Sequence, residues 1–334
     1  MKIAFFETES WEQKIIEERL SDHELQFFSE PLNDDFATDL RDIEALSVFI
    51  YSSVTAKVLK KMPNLKLIVT RSTGFDHIDI SAANNYGIKV SNVPTYGENT
   101  VAEHTFALIL ALSRKIVPSV ERVKRGEFTV DGLRGFDLFG KTLGIVGTGK
   151  IGANVARIAN SFGMKLLGFD KFPNPELTKN YKLQYVSLKE LLGASDVVSL
   201  NLRHTAETHH LINKETIAYF KPGAVLINTA RGGLIDTPIL VEALSSGILA
   251  GVGLDVLEDE GVIKEDAQIL SKQFPKRSMM LNIANNILIR QPNVVITPHN
   301  AFNSKEALER ILDTTLENII AFSAGKIVNL IEKE

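Results

Sequence analysis

The stretch KTLGIVGTGKIGANVARIANSF, Lys141 to Phe162, reads as a strand, a glycine turn and a helix in direct succession. LGIV is the strand, Gly147, Gly149 and Gly152 are spaced as GxGxxG, and the helical stretch runs from Ala153 to Phe162. Glycines so spaced permit a tight turn and let backbone N–H groups approach a pyrophosphate at the helix N-terminus. Alone the motif is weak. Eighteen residues past Gly152, however, the next strand, KLLGFD, ends in Asp170, where a carboxylate accepts hydrogen bonds from an adenine-ribose 2′-hydroxyl. Asp170 would repel a 2′-phosphate, so NAD is favoured over NADP, with Lys171 beside it working the other way.

The same alternation extends in both directions. Upstream, KIAFF (Lys2 to Phe6) precedes a helix over Trp11 to Leu20 behind a Ser10 cap; ELQFF, ALSVFIY, a helix over Thr55 to Lys61, LKLIVT, a helix over Ile80 to Tyr86, and IKVSNV follow. Downstream come DVVSLNL, AVLINTA, AGVGLDV and NVVITPH, with a capping box at Ser187 and Glu190 and a helix start at Thr237–Pro238. Short apolar runs alternating with helices predict parallel sheets covered on both faces. From Thr100 to Val117 the pattern is one long, mostly apolar helix, which places a domain border near residue 100; a last helix over Ser304 to Ala324 carries an Asn303/Glu306 cap pair.

At roughly 150 residues per domain, 334 residues suggest two domains. Apolar residues make up 44% and charged residues 23%, which excludes a collagen-like, low-complexity or largely disordered chain. The 37 Lys and Arg against 41 Asp and Glu form no block of like charge, which argues against nucleic acid or an anionic membrane as partner. With Cys 0, disulfides, thiolate nucleophiles and thiolate zinc sites are excluded together. MKIAFFETES, with Glu7 and Glu9, is unlike a signal peptide, and FALILAL (Phe106 to Leu112) is too short to span a bilayer, so a cytoplasmic protein is expected.

Hydride transfer to a 2-keto acid needs a cation to hold the carboxylate and polarise the carbonyl, and an acid to protonate the developing alkoxide. Arg231, in INTARGGLID, and His299, after NVVITP, each follow an apolar strand, where parallel sheets present ligand sites. Glu260, in GLDVLEDE, supplies a carboxylate that would keep a neighbouring imidazolium populated to higher pH. Each has a plainer reading: a surface arginine, a histidine capping a strand, and one member of a solvated acidic run with Glu258, Asp259 and Glu265.

These residues and their order resemble the D-isomer-specific 2-hydroxyacid dehydrogenases over nearly the whole chain, through TRSTGFDHID, VPTYGENTVAEH, LGIVGTGKIG, ETHHLIN, FKPGAVLINTARGGLID, GLDVLEDE and NVVITPH. The resemblance implies that Arg231 binds the substrate carboxylate, that His299 is the acid/base and that Glu260 pairs with it. It implies that the backbone at Thr73 and Gly74 holds the carboxylate, that Tyr96 and Tyr51 face the substrate, and that Lys150, Ile151, Thr208, Thr229 and Asp255 contact NAD, with Asp255 near the carboxamide. It implies a flavodoxin-like substrate domain (1–99 and 300–334), a Rossmann NAD domain (100–299), a cleft between them, and a homodimer with the long helix after Thr100 at its interface.

Within the family, the 39 positions from Glu260 to His299 and the VPTY stretch are similar to D-lactate dehydrogenases, which implies reduction of pyruvate to D-lactate. Asn201, where lactate-type members often have His, Arg203, where Pro is usual, and Asn303, in place of an aromatic, depart from that pattern. A glyoxylate or hydroxypyruvate reductase remains the alternative within the family. An NAD-responsive, non-catalytic co-repressor-like protein is the alternative from another class.

Overall fold

The computed structural model describes residues 1–36, 39–258 and 276–331. The chain forms two units, Met1–Tyr96 with Ser304–Glu334, and Gly97–Asn303. The first border therefore falls three residues before the expected 99/100, because Gly97 already caps the helix that opens the second unit.

The first unit carries strands β1 (Lys2–Phe5), β2 (Glu24–Phe27), β3 (Ala45–Val48), β4 (Leu67–Thr70) and β5 (Lys89–Ser91), all parallel, in the order β2-β1-β3-β4-β5. This is the flavodoxin-like doubly wound order, whose direction of winding reverses between β1 and β3. Successive residues of the first strand enter different cores: Ile3 and Phe5 join Leu67 and Val69 on one face, while Ala4 and Phe6 join Leu46 and Ile68 on the other. Burial on both faces is why these strands read as apolar runs rather than as alternating ones. Helices α1 (Ser10–Arg19), α2 (Ala56–Lys60) and α3 (Ile80–Asn85) connect them. The cap of α1 is Glu9 rather than Ser10: the Glu9 N–H donates to Glu12 at 2.8 Å in a capping box.

The second unit opens with α4 (Glu98–Ser113) and α5 (Ile116–Lys124), then β6 (Thr142–Val146), α6 (Lys150–Ser161), β7 (Lys165–Phe169), α7 (Pro175–Tyr181), β8 (Gln184–Tyr185), α8 (Leu188–Ala194) and β9 (Val197–Leu200). It continues with β10 (Ala224–Asn228), α9 (Thr237–Ser245), β11 (Leu249–Leu254), α10 (Lys276–Arg290) and β12 (Val294–Ile296). The seven strands are parallel in the order β12-β11-β10-β9-β6-β7-β8, a Rossmann sheet with its switch point between β6 and β9.

The single helix expected from Thr100 to Val117 is two. Lys115 adopts a left-handed φ of 53° and ends the first; Pro118 then sits in the first turn of α5, where its missing N–H costs nothing, whereas inside a continuous helix its ring would strike the carbonyl four residues back. Phe106, Leu108, Ile109 and Leu112 of α4 pack with Ile145, Val155 and Ile227. No helix among the described residues is long and apolar enough to cross a membrane. The chain returns to the first unit as α11 (Lys305–Ser323), whose Leu312, Leu316 and Ile319 cover Ile3 and Phe5. Its cap is Ser304, accepting from the Ala307 N–H at 3.2 Å, in place of the Asn303/Glu306 pair; the Asn303 N–H instead donates to the Asn300 carbonyl at 2.9 Å.

Candidate active site

The glycine turn joins β6 to α6 at the switch point. Gly147 has φ +93°, and a Cβ there would lie 2.6 Å from the Asn201 carbonyl; a Cβ on Gly152 would lie 2.0 Å from the carbonyl of Gly147. Both positions therefore exclude any side chain. Gly149 differs, because a Cβ there would meet nothing within 4 Å, and no side chain caps the first turn of α6, which begins with Lys150 and the half-buried Ile151. Open space beside uncapped N–H groups is what a pyrophosphate requires. The Lys150 ammonium lies 3.7 Å from Glu98.

Asp170 follows β7 and faces this turn: its Oδ2 accepts from the Thr148 N–H at 2.6 Å and from the Thr148 hydroxyl at 3.1 Å, and its Oδ1 from the Phe172 N–H at 2.8 Å. Lys171 is drawn to Glu207 at 3.4 Å, on the surface. Thr208 closes a loop, its hydroxyl donating to the Arg203 carbonyl at 2.7 Å and accepting from the Thr205 N–H at 2.8 Å. Open cradle, helix terminus and acidic residue fit an adenine dinucleotide.

Arg231 and His299 lie at the same edge of the sheet. Asn228 is registered with Leu254, and Leu254 with Ile296, so Arg231 and His299 each stand three residues beyond aligned strand ends. At about 4.8 Å per strand, β10 and β12 end about 10 Å apart. A Cβ on Gly232 would lie 2.1 Å from the Leu257 carbonyl, so only glycine lets the Arg231 turn lie against the segment that leads toward Glu260. Glu260 itself lies outside the described residues.

Asp255, 1% exposed at the end of β11, organises the turn that carries His299. Its Oδ1 accepts from the Thr297 hydroxyl at 2.6 Å and the Asn300 N–H at 2.9 Å, and its Oδ2 from the Ala301 N–H at 2.9 Å, while the His299 N–H donates to its carbonyl at 2.8 Å. His299 adopts a left-handed φ of 51° in this turn. Burial by itself raises the Asp255 carboxyl, but donation from His104, Thr297, Ala301 and Asn300 outweighs it and holds the group below the ordinary 3.8. Thr229, after β10, shares a 2.9 Å hydrogen bond with Thr105 of α4.

Three polar residues of this edge have no role in the sequence reading. His104 of α4 lies 2.9 Å from the Thr297 hydroxyl and 3.5 Å from Asp255. Glu258 is 7% exposed, its Oε1 lying 2.9 Å from His210 Nε2 and its Oε2 accepting from the Thr237 hydroxyl at 3.2 Å. The plainer reading of a solvated acidic run does not hold at Glu258, which is buried and paired. Both histidines stand inside stretches that carry the family resemblance, VAEH and ETHH, and that was the signal available.

In the first unit, the expected substrate residues also gather at the C-terminal strand ends. Val48 is registered with Thr70, and Tyr51 and Thr73 each stand three residues further on. The Tyr51 N–H donates to the Glu7 carboxylate at 2.9 Å, and the residue is 54% exposed. The Thr73 hydroxyl donates to the Val93 carbonyl at 2.8 Å, the Gly74 carbonyl accepts from Ser72 at 2.6 Å, and the Tyr96 carbonyl accepts from Arg310 at 2.6 Å.

Comparison with known proteins agrees with this geometry. The family model for the D-isomer specific 2-hydroxyacid dehydrogenase, NAD binding domain, matches residues 106–301. A 2-hydroxyacid dehydrogenase homolog of Haemophilus influenzae is 36% identical over 334 residues, covering 98% of each chain. A glyoxylate reductase of Korarchaeum cryptofilum is 36% identical over 300 residues, covering 88% of this chain and 84% of its own. The structure of a D-lactate dehydrogenase from Aquifex aeolicus complexed with NAD and lactic acid matches with a TM-score of 0.85 at 38% identity, covering 97% of this chain and 96% of that one. Two parallel α/β units, a dinucleotide turn and full-length similarity thus converge: the chain belongs to the D-isomer-specific 2-hydroxyacid dehydrogenases and is an NAD-dependent oxidoreductase.

Proposed function

We propose that the protein is a D-lactate dehydrogenase that reduces pyruvate. The observation that carries this reading is the Asp255-clamped turn, which sets His299 at the same sheet edge as Arg231, in a chain 38% identical to a D-lactate dehydrogenase solved with NAD and lactic acid. NADH supplies the hydride that reaches C2. Gly147, Gly149, Gly152, Lys150 and Ile151 border its pyrophosphate, Asp170 accepts from the adenine ribose, Thr208 and Thr229 line its path, and Asp255 serves its carboxamide. Arg231 holds the substrate carboxylate and polarises the carbonyl, the N–H groups at Thr73 and Gly74 add donors to that carboxylate, and Tyr51 and Tyr96 contact the substrate. His299 donates its proton to the oxygen at C2 as the alkoxide develops, and Glu260 stabilises the imidazolium that is the proton donor.

The test is NADH oxidation at 340 nm with pyruvate, glyoxylate, hydroxypyruvate, phenylpyruvate and oxaloacetate, with chiral analysis of the product. Pyruvate giving the highest kcat/KM and a D product supports the reading. Preference for glyoxylate moves the chain toward reductases like that of Korarchaeum cryptofilum, and NADH binding without turnover favours the co-repressor-like alternative.

We also propose a homodimer. The apolar residues of α4 serve the core of their own unit, but Ile116, Val117, Val120 and Val123 of α5 are 40–49% exposed, and Phe128 and Val130 beyond it more than 80%. Such a patch calls for cover. A second copy supplies it by isologous contact. Light scattering at the monomer mass overturns this.

A further inference from the structure

The Asp170 carboxylate is held by a hydrogen-bond relay that none of the expected cofactor contacts includes. The Thr148 hydroxyl has one proton and gives it to Asp170 Oδ2 at 3.1 Å, so toward its other neighbour, the Tyr185 hydroxyl at 2.9 Å, it must accept. Tyr185 accepts in turn from the Asn174 N–H at 2.7 Å, and its hydroxyl also lies 3.3 Å from the Asn174 carbonyl, a longer alternative acceptor. Every primary donor in the series Asn174, Tyr185, Thr148 points toward the carboxylate, the direction in which linked hydrogen bonds polarise one another. Thr148 is 2% exposed, so its hydroxyl does not exchange these partners freely for water.

The packing is built around this relay. Gly168 of β7 is registered with Tyr185 of β8, and a Cβ on Gly168 would lie 3.1 Å from the Tyr185 ring, 2.6 Å from Leu183 and 3.3 Å from the Thr148 methyl. A glycine inside a strand marks a close approach of this kind. It admits the tyrosine ring over the strand and lets its hydroxyl reach the phosphate turn.

We propose that Thr148 and Tyr185 are positioning residues that set the discrimination between NADH and NADPH by fixing the Asp170 carboxylate. Of the roughly four acceptor positions of a carboxylate, Thr148 N–H, Thr148 Oγ1 and Phe172 N–H occupy three, all from rigid groups. The remaining position, on Oδ1, is the one offered to a ribose hydroxyl, and a carboxylate so pinned cannot swing away from a 2′-phosphate. The inference rests on the assignment of Asp170 to the adenine ribose.

The test is equilibrium binding of NADH and NADPH to the full-length protein, followed by nicotinamide fluorescence, for the wild type, Thr148→Val, Tyr185→Phe, Thr148→Ser and Asp170→Ala. Thr148→Val is expected to weaken NADH about 5- to 10-fold, less than the full worth of a hydrogen bond to a charged group because the Thr148 and Phe172 N–H groups still hold Asp170, with NADPH unchanged or tighter, so that the ratio of the two Kd values narrows. Tyr185→Phe narrows it about 2- to 3-fold, a neutral bond acting one step away. The Thr148→Val/Tyr185→Phe pair equals Thr148→Val alone, because the tyrosine acts through the threonine. Thr148→Ser, which keeps the hydroxyl, retains the wild-type ratio. If Thr148→Val weakens both nucleotides equally, or leaves the ratio unchanged while Asp170→Ala collapses it, the relay is refuted and the role of Asp170 stands. If Asp170→Ala leaves the ratio unchanged, both fall.

Discussion

Replacing Asp255 by asparagine keeps the shape of the side chain and exchanges one acceptor oxygen for a donor. In the native turn Oδ1 serves Thr297 and Asn300, and Oδ2 serves the Ala301 N–H. With its oxygen toward Thr297 and Asn300, the asparagine NH2 confronts the Ala301 N–H, donor against donor; the opposite flip sacrifices two bonds instead of one. A hydrogen bond to a charged group is worth about 1.5–3 kcal/mol, and the buried N–H left behind costs about 1–3 kcal/mol. Taking about 3 kcal/mol as the loss to the turn that holds His299, and about 1.4 kcal/mol per decade of rate, kcat falls about 100-fold. The assay is NADH oxidation with pyruvate, alongside NADH binding and urea unfolding, which separate turnover from cofactor affinity and stability. A kcat within threefold of wild type would refute the claim that Asp255 orders the His299 turn. The same variant reports on pH. Because the folded Asp255 carboxyl lies below its ordinary 3.8, its contribution to stability is fully present above that value and is lost as pH falls through the lower, folded one. The stability gap between wild type and Asp255→Asn should therefore persist at neutral pH and close on acidification below about 3.8. A gap that is constant into acid would contradict this.

His299→Ala should lower kcat by at least about 100-fold, the scale of a lost general acid, with NADH affinity within about threefold; near-normal turnover removes it as the acid. Glu260→Gln should move the alkaline limb of pyruvate reduction to lower pH, since the imidazolium loses its anionic partner, and an unchanged pH profile makes Glu260 dispensable. Gly152→Ala places a methyl 2.0 Å from the Gly147 carbonyl, so the turn must shift. About 1–3 kcal/mol of stability should be lost, and NADH binding should weaken more than tenfold; unaltered binding would show that the turn does not depend on this contact.

The central strands, such as β3, β4, β9 and β10, were legible because they are buried throughout and so stand in the sequence as apolar runs between turn residues, whereas the two-residue edge strand β8 left no such run. The phosphate turn was legible for a stricter reason: Gly147 and Gly152 tolerate no Cβ, and a steric requirement of that kind leaves the same letters at the same spacing. The break between α4 and α5 was not, since it depends on Lys115 taking a left-handed conformation, which no property of lysine announces. Nor was the Asp255 clamp, whose donors at His104, Thr297, Asn300 and Ala301 are up to 197 positions from the first to the last. Long-range hydrogen bonds between strand ends leave no periodic trace. Resemblance named Asp255 as a cofactor contact; the structure adds that its carboxylate is already committed to the turn bearing His299.

The departures from the lactate-type pattern fall mostly on the cofactor turn. The Asn201 N–H donates to the Val146 carbonyl at 2.7 Å, and its own carbonyl blocks a Cβ on Gly147, so Asn201 supports the phosphate turn through its backbone, which any residue provides. Its side chain folds back onto Ser199, with Nδ2 3.2 Å from the Ser199 carbonyl. Arg203 contributes the carbonyl that anchors Thr208, again a backbone service that does not depend on the side chain. Asn303 alone follows an outermost strand, β12: its N–H closes on Asn300, whose N–H in turn binds Asp255. All three substitutions thus meet their neighbours through backbone atoms, and a change of side chain leaves those hydrogen bonds intact; Asn201 and Arg203 do so beside the dinucleotide turn. Asn303 differs in its place, since it closes the turn that carries His299; if His299 is the acid, as proposed, Asn303 is the departure nearest the reacting carbonyl.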